Sequence, residues 1–435
     1  MRDLPGLYWD AERNRYFPVG TRPAASLATA SQPAVARPQR SLREFKSSGG
    51  ASTSSKTGFQ APMSSNRKRA SGSWGANERL KGSVFAVQTR RCARELLCAQ
   101  LACTSRVTKI PMPDPAHSSI TAFKTVTVND CTKIFYGDTN GWLYSYTGRA
   151  GDTPECEFWA RELNLMSEIS SMCISDSRCV ATSFGPSPKI LVQELASTNT
   201  SILSPGKSEV HDIWSSHLRG RGLALGANKK AIFLKDLDTS RSIQVLDTQS
   251  DVFAVEQQEN LVYTGARNGS IARFDTRADD PNGQRLLNGF SNAQGVNSIT
   301  KLHIVRDWQL VVANINGCVR LASYDLRFVR GSTPLLMFTG HVNSYSTKLA
   351  LTVDPSENFL FAAGQDKCIR AWSLQTGEGL IPPSAPKRGS GDNPFSTVFS
   401  QPIAAMQVTE ERNELLLWAA SDKDLYRYHL GQQGH

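Results

Sequence analysis

No stretch of this 435-residue chain is apolar for anything near the ~18 residues of a membrane-spanning helix. The opening "MRDLPGLYWD" also lacks an apolar core of signal-peptide length. The chain therefore reads as neither secreted nor membrane-spanning, a protein of the nucleus, the cytoplasm or both. Nine Cys are scattered without a single CxxC pair, and an odd count without an export signal argues for reduced thiols. Seven His are equally dispersed. No two lie nearer than six residues, and the pair His211 and His217 has no Cys or carboxylate at ligand spacing, so no zinc site is expected.

Signs of catalysis are missing too. There is no GxSxG, no HExxH and no convincing carboxylate pair. "GRGLALG" (220–226) offers spaced glycines but runs into a hairpin, with no βαβ unit to cradle a nucleotide. "SPGKS" (204–208) resembles the end of a phosphate-binding loop, yet Ser201 stands where its first Gly belongs. No enzyme and no cofactor are expected.

Acidic residues are scarce only at one end. Residues 1–110 hold 19 Lys and Arg against 6 Asp and Glu, a net +13, whereas the remainder holds 30 against 33, a net −3. The basic charge belongs to an N-terminal arm. A nucleic-acid-binding body would be expected to carry that charge itself, and here it does not. Within the arm, residues 21–80 are rich in Ser, Ala, Gly, Arg and Pro, with few aliphatic side chains to offset the entropy of ordering; disorder is expected. "NRKR" (66–69) has the composition of a nuclear-import signal. Ahead of the arm, "LPGLYWDAERNRYF" (4–17) makes residues 1–20 an aromatic island of the kind that docks on a partner. "RRCARELLCAQLACTSR" (90–106) spaces Leu and Ala as a helix would, which places a helical segment within 81–103.

From about residue 104 the pattern is β. "KIFYGDTNGWLYSY" (133–146), "LVYTGARNGSIARFD" (261–275) and "LVVANINGCVRLASYD" (310–325) share one plan. Each is an apolar strand, a small residue or Gly, an Asn-Gly pair, and a second apolar strand ending on an aromatic. Asn-Gly suits the positive φ angles of a type I′ hairpin turn. Looser copies begin near 179, 222, 359 and 415, giving seven units at intervals of roughly 39 to 56 residues. A β-sandwich needs no such repeat; a β-propeller with four strands per blade does. The expected fold is all-β, a seven-bladed β-propeller over 104–430. Its last blade runs out of chain after three strands, and an unpaired sheet edge is avoided in soluble proteins. "TSRVTKIPM" (104–112), with Val107 and Ile110 to pack on the sheet and Pro111 to end the run, is the candidate closing strand.

Two strands end on an Asp-x-Arg: "RFDTR" (273–277) and "SYDLR" (323–327). Side chains two apart on an extended segment point the same way, so Asp275 can touch Arg277, and Asp325 can touch Arg327. The residues alone allow either a local ion pair of small energetic value or an Arg held ready for a partner's carbonyls or carboxylates.

One blade, "FTGHVNSYSTKLALTVDPSENFLFAAGQDKCIRAWSLQTGE" (338–378), resembles a WD repeat. In that family a buried His, Ser/Thr, Asp and Trp are hydrogen-bonded and lock the blade. The resemblance implies these roles for His341, Asp366 and Trp372, with Ala363 in the Ser/Thr place and Ser373 after the Trp. With the two Asp-x-Arg ends added, the chain resembles the WD-repeat cullin-4-associated factors, substrate receptors of cullin-4 ubiquitin ligases. Those receptors end one or two neighbouring blades on Trp-Asp-x-Arg, which docks on the ligase's damaged-DNA-binding adaptor. "LPGLYWDAERNRYF" and "YDLRFVRGSTPLLMFTGHVNSY" (324–345) are similar to one branch of the same family. The resemblance implies that Phe274, Asp275, Arg277, Tyr324, Asp325 and Arg327 bind the adaptor, with Phe274 and Tyr324 in place of Trp. A protein substrate would be presented from elsewhere on the ring. The alternative is a general WD-repeat scaffold in a nuclear assembly, tethered to RNA or chromatin by the basic arm.

Overall fold

A computed structural model describes residues 96–431 with short interruptions, the longest at 150–158 and 288–296, and the backbones of two strands nearer the N-terminus. The chain divides into two compact units, Met1–Ser71 and Gly72–His435. In the first, Leu7–Asp10 and Arg15–Pro18 pair antiparallel, with Trp9 opposite Tyr16. The expectations for the arm at 21–80 and for helix at 81–95 fall outside the described residues.

The second unit is a seven-bladed propeller. Its innermost strands are Ile120–Val128, Ile169–Ser175, Ser215–Arg219, Val252–Gln258, Ile299–Val305, Leu351–Val353 and Ala405–Glu411. Each opens an antiparallel sheet whose strands follow in chain order from the centre outward. Among the described residues blade 6 has three strands, ending at Ile369–Ser373, and a single bridge from Trp372 to Gly379 beyond them. Blade 7 takes its outer strand from upstream. Arg106–Ile110 runs antiparallel to Asp424–Leu430, with Lys109 opposite Tyr426. Helical residues 96–102 precede that strand, and Leu101 packs among Phe395, Phe399 and Tyr428.

Strands that are apolar on both faces cannot bury themselves in one blade, so the core lies between blades. Seven hydrophobic clusters occupy the seven seams. The seam of blades 7 and 1, for example, joins Ile110, Trp418 and Leu425 to Ile120, Phe123 and Tyr136. The small residue of the sequence repeat is set by this packing. A Cβ on Gly265 would lie 2.4 Å from Ile299 Cγ2, and one on Gly137 would lie 2.6 Å from Ile169 Cβ. In both cases the first residue of the next blade fills the space a side chain would need.

The Asn-Gly turns differ from the expected type I′. Gly141 and Gly269 have φ of 83° and 79°, while Asn140 and Asn268 are not in the positive-φ region. Gly141 N–H donates to Asp138 O and Gly269 N–H to Ala266 O, a type I turn closed by a left-handed Gly. The loop is longer than two residues, since pairing resumes only at Gly137 with Leu143. The third Asn-Gly, at 316–317, lies outside the described residues.

Candidate docking rim

The third strands of blades 4 and 5 are Ile271–Asp275 and Leu321–Asp325, and each carries its Asp as the last residue. Beyond each Asp the chain turns, and the carboxylate takes over hydrogen bonding from the sheet. Asp275 Oδ1 accepts from Arg277 backbone N–H and from Nε, both at 3.0 Å, while Oδ2 accepts from Nη2 at 2.6 Å. Asp325 holds Arg327 the same way, at 2.9 and 3.0 Å to Oδ1 and 2.8 Å to Oδ2. A carboxylate fork of this kind fixes the guanidinium plane and uses two of its five N–H donors. The others point outward, and the two Arg side chains are 70% and 56% exposed. The side-chain bond from Arg277 and its backbone N–H bring the Asp275 pKa down to about 2. The side-chain bond from Arg327 likewise lowers Asp325.

Both clamps lie on one face of the ring, because third strands end on the same side as the hairpins joining first and second strands. Thr276 N–H donates to Asn260 O, and Leu326 N–H to Trp308 O, in those hairpins. Here the two clamps differ. The Arg327 guanidinium stacks 4.2 Å from the centroid of Trp308, whereas blade 4 has Asn260 at the corresponding place. Trp308 is aimed by a tight turn in which Arg306 and Asp307 both have positive φ, 51° and 59°. That turn is tied down on both sides. Gln258 Nε2 donates to Asp307 O at 2.8 Å, and Glu357 accepts from Arg306 N–H at 2.8 Å. Blades 4, 5 and 6 are thereby joined at the rim. Beside the Arg327 clamp, where blades 4 and 5 meet, runs a groove lined by Tyr263, Arg273, Leu286, Leu326, Arg327 and Phe328.

Phe274 and Tyr324 do not belong to this surface. They are 2% and 4% exposed, Phe274 in the seam of blades 3 and 4 and Tyr324 in that of blades 4 and 5. Alternation along the strand turns the aromatic inward when the Asp stands at the strand's end. Phe328, directly after the second Arg, is instead 71% exposed and supplies the rim's aromatic surface. Its signal was present in "YDLRF". Trp308, Gln258 and Asp307 carry no signal in the Asp-x-Arg motif, since they come from other strands.

The WD-type residues of blade 6 cluster, but their polar groups go elsewhere. Asp366 is bidentate with Arg370, Trp372 Nε1 donates to Thr339 O at 2.9 Å, and the His341 ring sits 6.5 Å from the Trp372 ring. His341 Nδ1 is buried without a hydrogen-bond partner, and burial lowers its pKa to about 4. With Ala363 in the Ser/Thr place, no hydroxyl is there to relay the set. Residues 222–226 of the Gly-rich stretch form the second strand of blade 3. His211 lies against Asp212 and His217 against Glu256, and among the described residues no three potential ligands are grouped for a metal. No helix among the described residues is long and apolar enough to cross a membrane.

Comparison with known proteins follows the same lines. Residues 181–430 match the family model described as the DDB1- and CUL4-associated factor 4 beta-propeller domain. A human DDB1- and CUL4-associated factor 4-like protein 2 is 30% identical over 191 residues, 43% of this chain and 45% of that one. An uncharacterized WD repeat-containing protein of Caenorhabditis elegans is 26% identical over 201 residues, 46% of this chain and 35% of its own. WD repeat-containing protein 21 of Schizosaccharomyces pombe is 28% identical over 156 residues, 35% of each chain. The matches thus span less than half the length of each relative. Among solved structures, the WD40 propeller domain of Doa1 superposes with a TM-score of 0.53 at 14% identity, covering 75% of this chain and 96% of that domain, a likeness of fold alone.

Proposed function

Because the chain belongs to the family of the DDB1- and CUL4-associated factor 4 β-propeller domain, we propose that it is a non-enzymatic substrate receptor of a cullin-4 ubiquitin ligase. Its clamp-bearing face docks on the damaged-DNA-binding adaptor, a protein substrate is held elsewhere on the ring, and ubiquitin transfer belongs to other subunits. On this reading the protein works inside the cell, in the nucleus or cytoplasm. The observation that carries the proposal is the pair of matched Asp–Arg forks on one face of adjacent blades, their guanidinium edges turned to solvent.

The physical reason is preorganisation. A free Arg loses rotamer freedom when it binds, whereas an Arg already held by its own Asp loses less. Trp308 adds to this for Arg327 through its ring face. Neither Arg contributes to the core, so truncation should leave the fold intact. The test is affinity capture followed by titration with purified adaptor. Arg277→Ala and Arg327→Ala should each weaken binding by about tenfold or more, as interface Arg hot spots do, and the double variant should lose it. Trp308→Ala should weaken it less than Arg327→Ala. Wild-type affinity in a folded double variant would sink the docking role. Capture of nucleic acid through the arm, without adaptor, would instead support the scaffold reading.

A further inference from the structure

The ring's central channel holds a second charged site, independent of the clamps. Four of the innermost strands carry a bulge near their start, between Ile120 and Ala122, Ile169 and Ser171, Val252 and Ala254, and Ile299 and Lys301. An extra residue there re-aims a side chain. The bulged residues Thr121, Ser170, Phe253 and Thr300 line a cavity of about 130 Å³ together with Lys124, Lys301, Lys348 and Trp214. Most lie at, or just ahead of, the beginnings of innermost strands, so the cavity lies toward the face opposite the docking rim.

Its charges do not cancel. Lys348 is paired with Glu168. Glu256, the carboxylate that acts on both Lys124 and Lys301, is engaged by His303 at 3.3 Å and by His217 at 3.6 Å. Lys124 and Lys301 have no hydrogen-bond or ion-pair partner among the described residues. Burial lowers the pKa of both, and repulsion from Lys124 and Lys348 helps bring Lys301 to about 8. At the same mouth the Trp214 indole N–H is buried without an acceptor, its ring wedged edge-on between Phe184 and Phe253 at 4.7 and 4.9 Å. Two lysines without a bonded partner and an orphaned donor make a site short of bound acceptors.

We propose that the channel mouth binds a phosphate-class dianion, free or carried on a phosphorylated side chain, with Lys124 and Lys301 as charge partners and Trp214 Nε1 as a directional donor. A phosphate group carries about −1.5 to −2 at neutral pH with three strong acceptor oxygens, which suits two lysines, whose charged form a bound anion favours, and an N–H. A carboxylate would neutralise only one.

Calorimetric titration of the full chain at constant ionic strength tests this, with inorganic phosphate, a phosphoserine pentapeptide and its unphosphorylated form as probes. At least one phosphate probe should bind, and Lys124→Gln and Lys301→Gln should each weaken it about tenfold, while Lys301→Arg retains it. Binding of inorganic phosphate alone identifies a free anion. Tighter binding of the phosphopeptide, with none of its unphosphorylated form, identifies a modified side chain. The Gln variants remove repulsion and should melt no lower than wild type; should either fail to fold, Lys124→Met or Lys301→Met takes its place. No binding by any phosphate probe, or equal binding by wild type and variants, as the basic arm alone would produce, overturns the proposal.

Discussion

Replacing Gly265 by Ala sets two physical effects against each other at the seam of blades 4 and 5. Gly265 is paired on both sides, with Ala254 and Ile271, in ordinary extended backbone. By conformational entropy alone, Ala should stabilise such a position by about 0.5–1 kcal/mol. The added methyl, however, would sit 2.4 Å from Ile299 Cγ2, 3.0 Å from its Cβ and 3.3 Å from Leu302 Cγ. Ile299 is fully buried and opens the next blade, so it cannot swing away without moving that blade. Overpacking of this kind costs about 1–3 kcal/mol and exceeds the entropic gain. A net loss of about 1–2 kcal/mol is expected. Ile299→Ala removes Cγ2 and by itself should cost about 2–5 kcal/mol through the cavity it leaves. The double variant should then cost less than the two losses added, by about 1 kcal/mol or more, because one change makes room for the other. Urea unfolding of all four proteins measures the cycle. A Gly265→Ala protein as stable as wild type, or additive losses, would refute the packing account of the repeat's small residue.

The channel also predicts a pH dependence. Burial alone would lower the His303 pKa, but the Glu256 carboxylate more than reverses this and raises it. Stability from that pair is therefore present in full below the unfolded value near 6.5 and is lost as pH rises through the folded value. Wild type should lose stability relative to His303→Gln as pH rises from about 6.5 through the raised folded-state value; a difference that stays constant as pH rises above 6.5 would contradict the pairing. For ring closure, Ile110 is 1% exposed in the seam of blades 7 and 1. Ile110→Ala should cost about 2–5 kcal/mol, and deleting 1–112 should unfold the propeller, whereas deleting 21–80 should leave its Tm nearly unchanged. A fall of ten degrees or more for the shorter deletion would show that the arm packs on the ring.

The repeat was legible in the chain because its causes are local. Apolar strands, a small residue and a Gly that closes the turn recur at short range, and short-range pattern is what a linear sequence displays. The Asp-x-Arg forks were legible for the same reason, since both partners lie within three residues of one strand end. The turn type was misjudged because Asn-Gly fits a two-residue hairpin and a longer Gly-closed turn equally well. Only the point at which pairing resumes, Gly137 with Leu143, separates them.

What needed the folded ring is whatever depends on a neighbour far away in the chain. Phe274 and Tyr324 looked like part of a docking motif, yet adjacent blades cover them and leave Phe328 outside. Trp308 reaches Arg327 from a different hairpin, aimed by a strained turn that Gln258 and Glu357 hold from the blades on either side. Lys124 and Lys301 are 177 residues apart and ordinary in their own strands. Closing the ring gathers them around one cavity, where no residue near either in sequence neutralises them. Local pattern could determine the blade and the fork; the surroundings of each charge arose only when seven blades were packed into a circle.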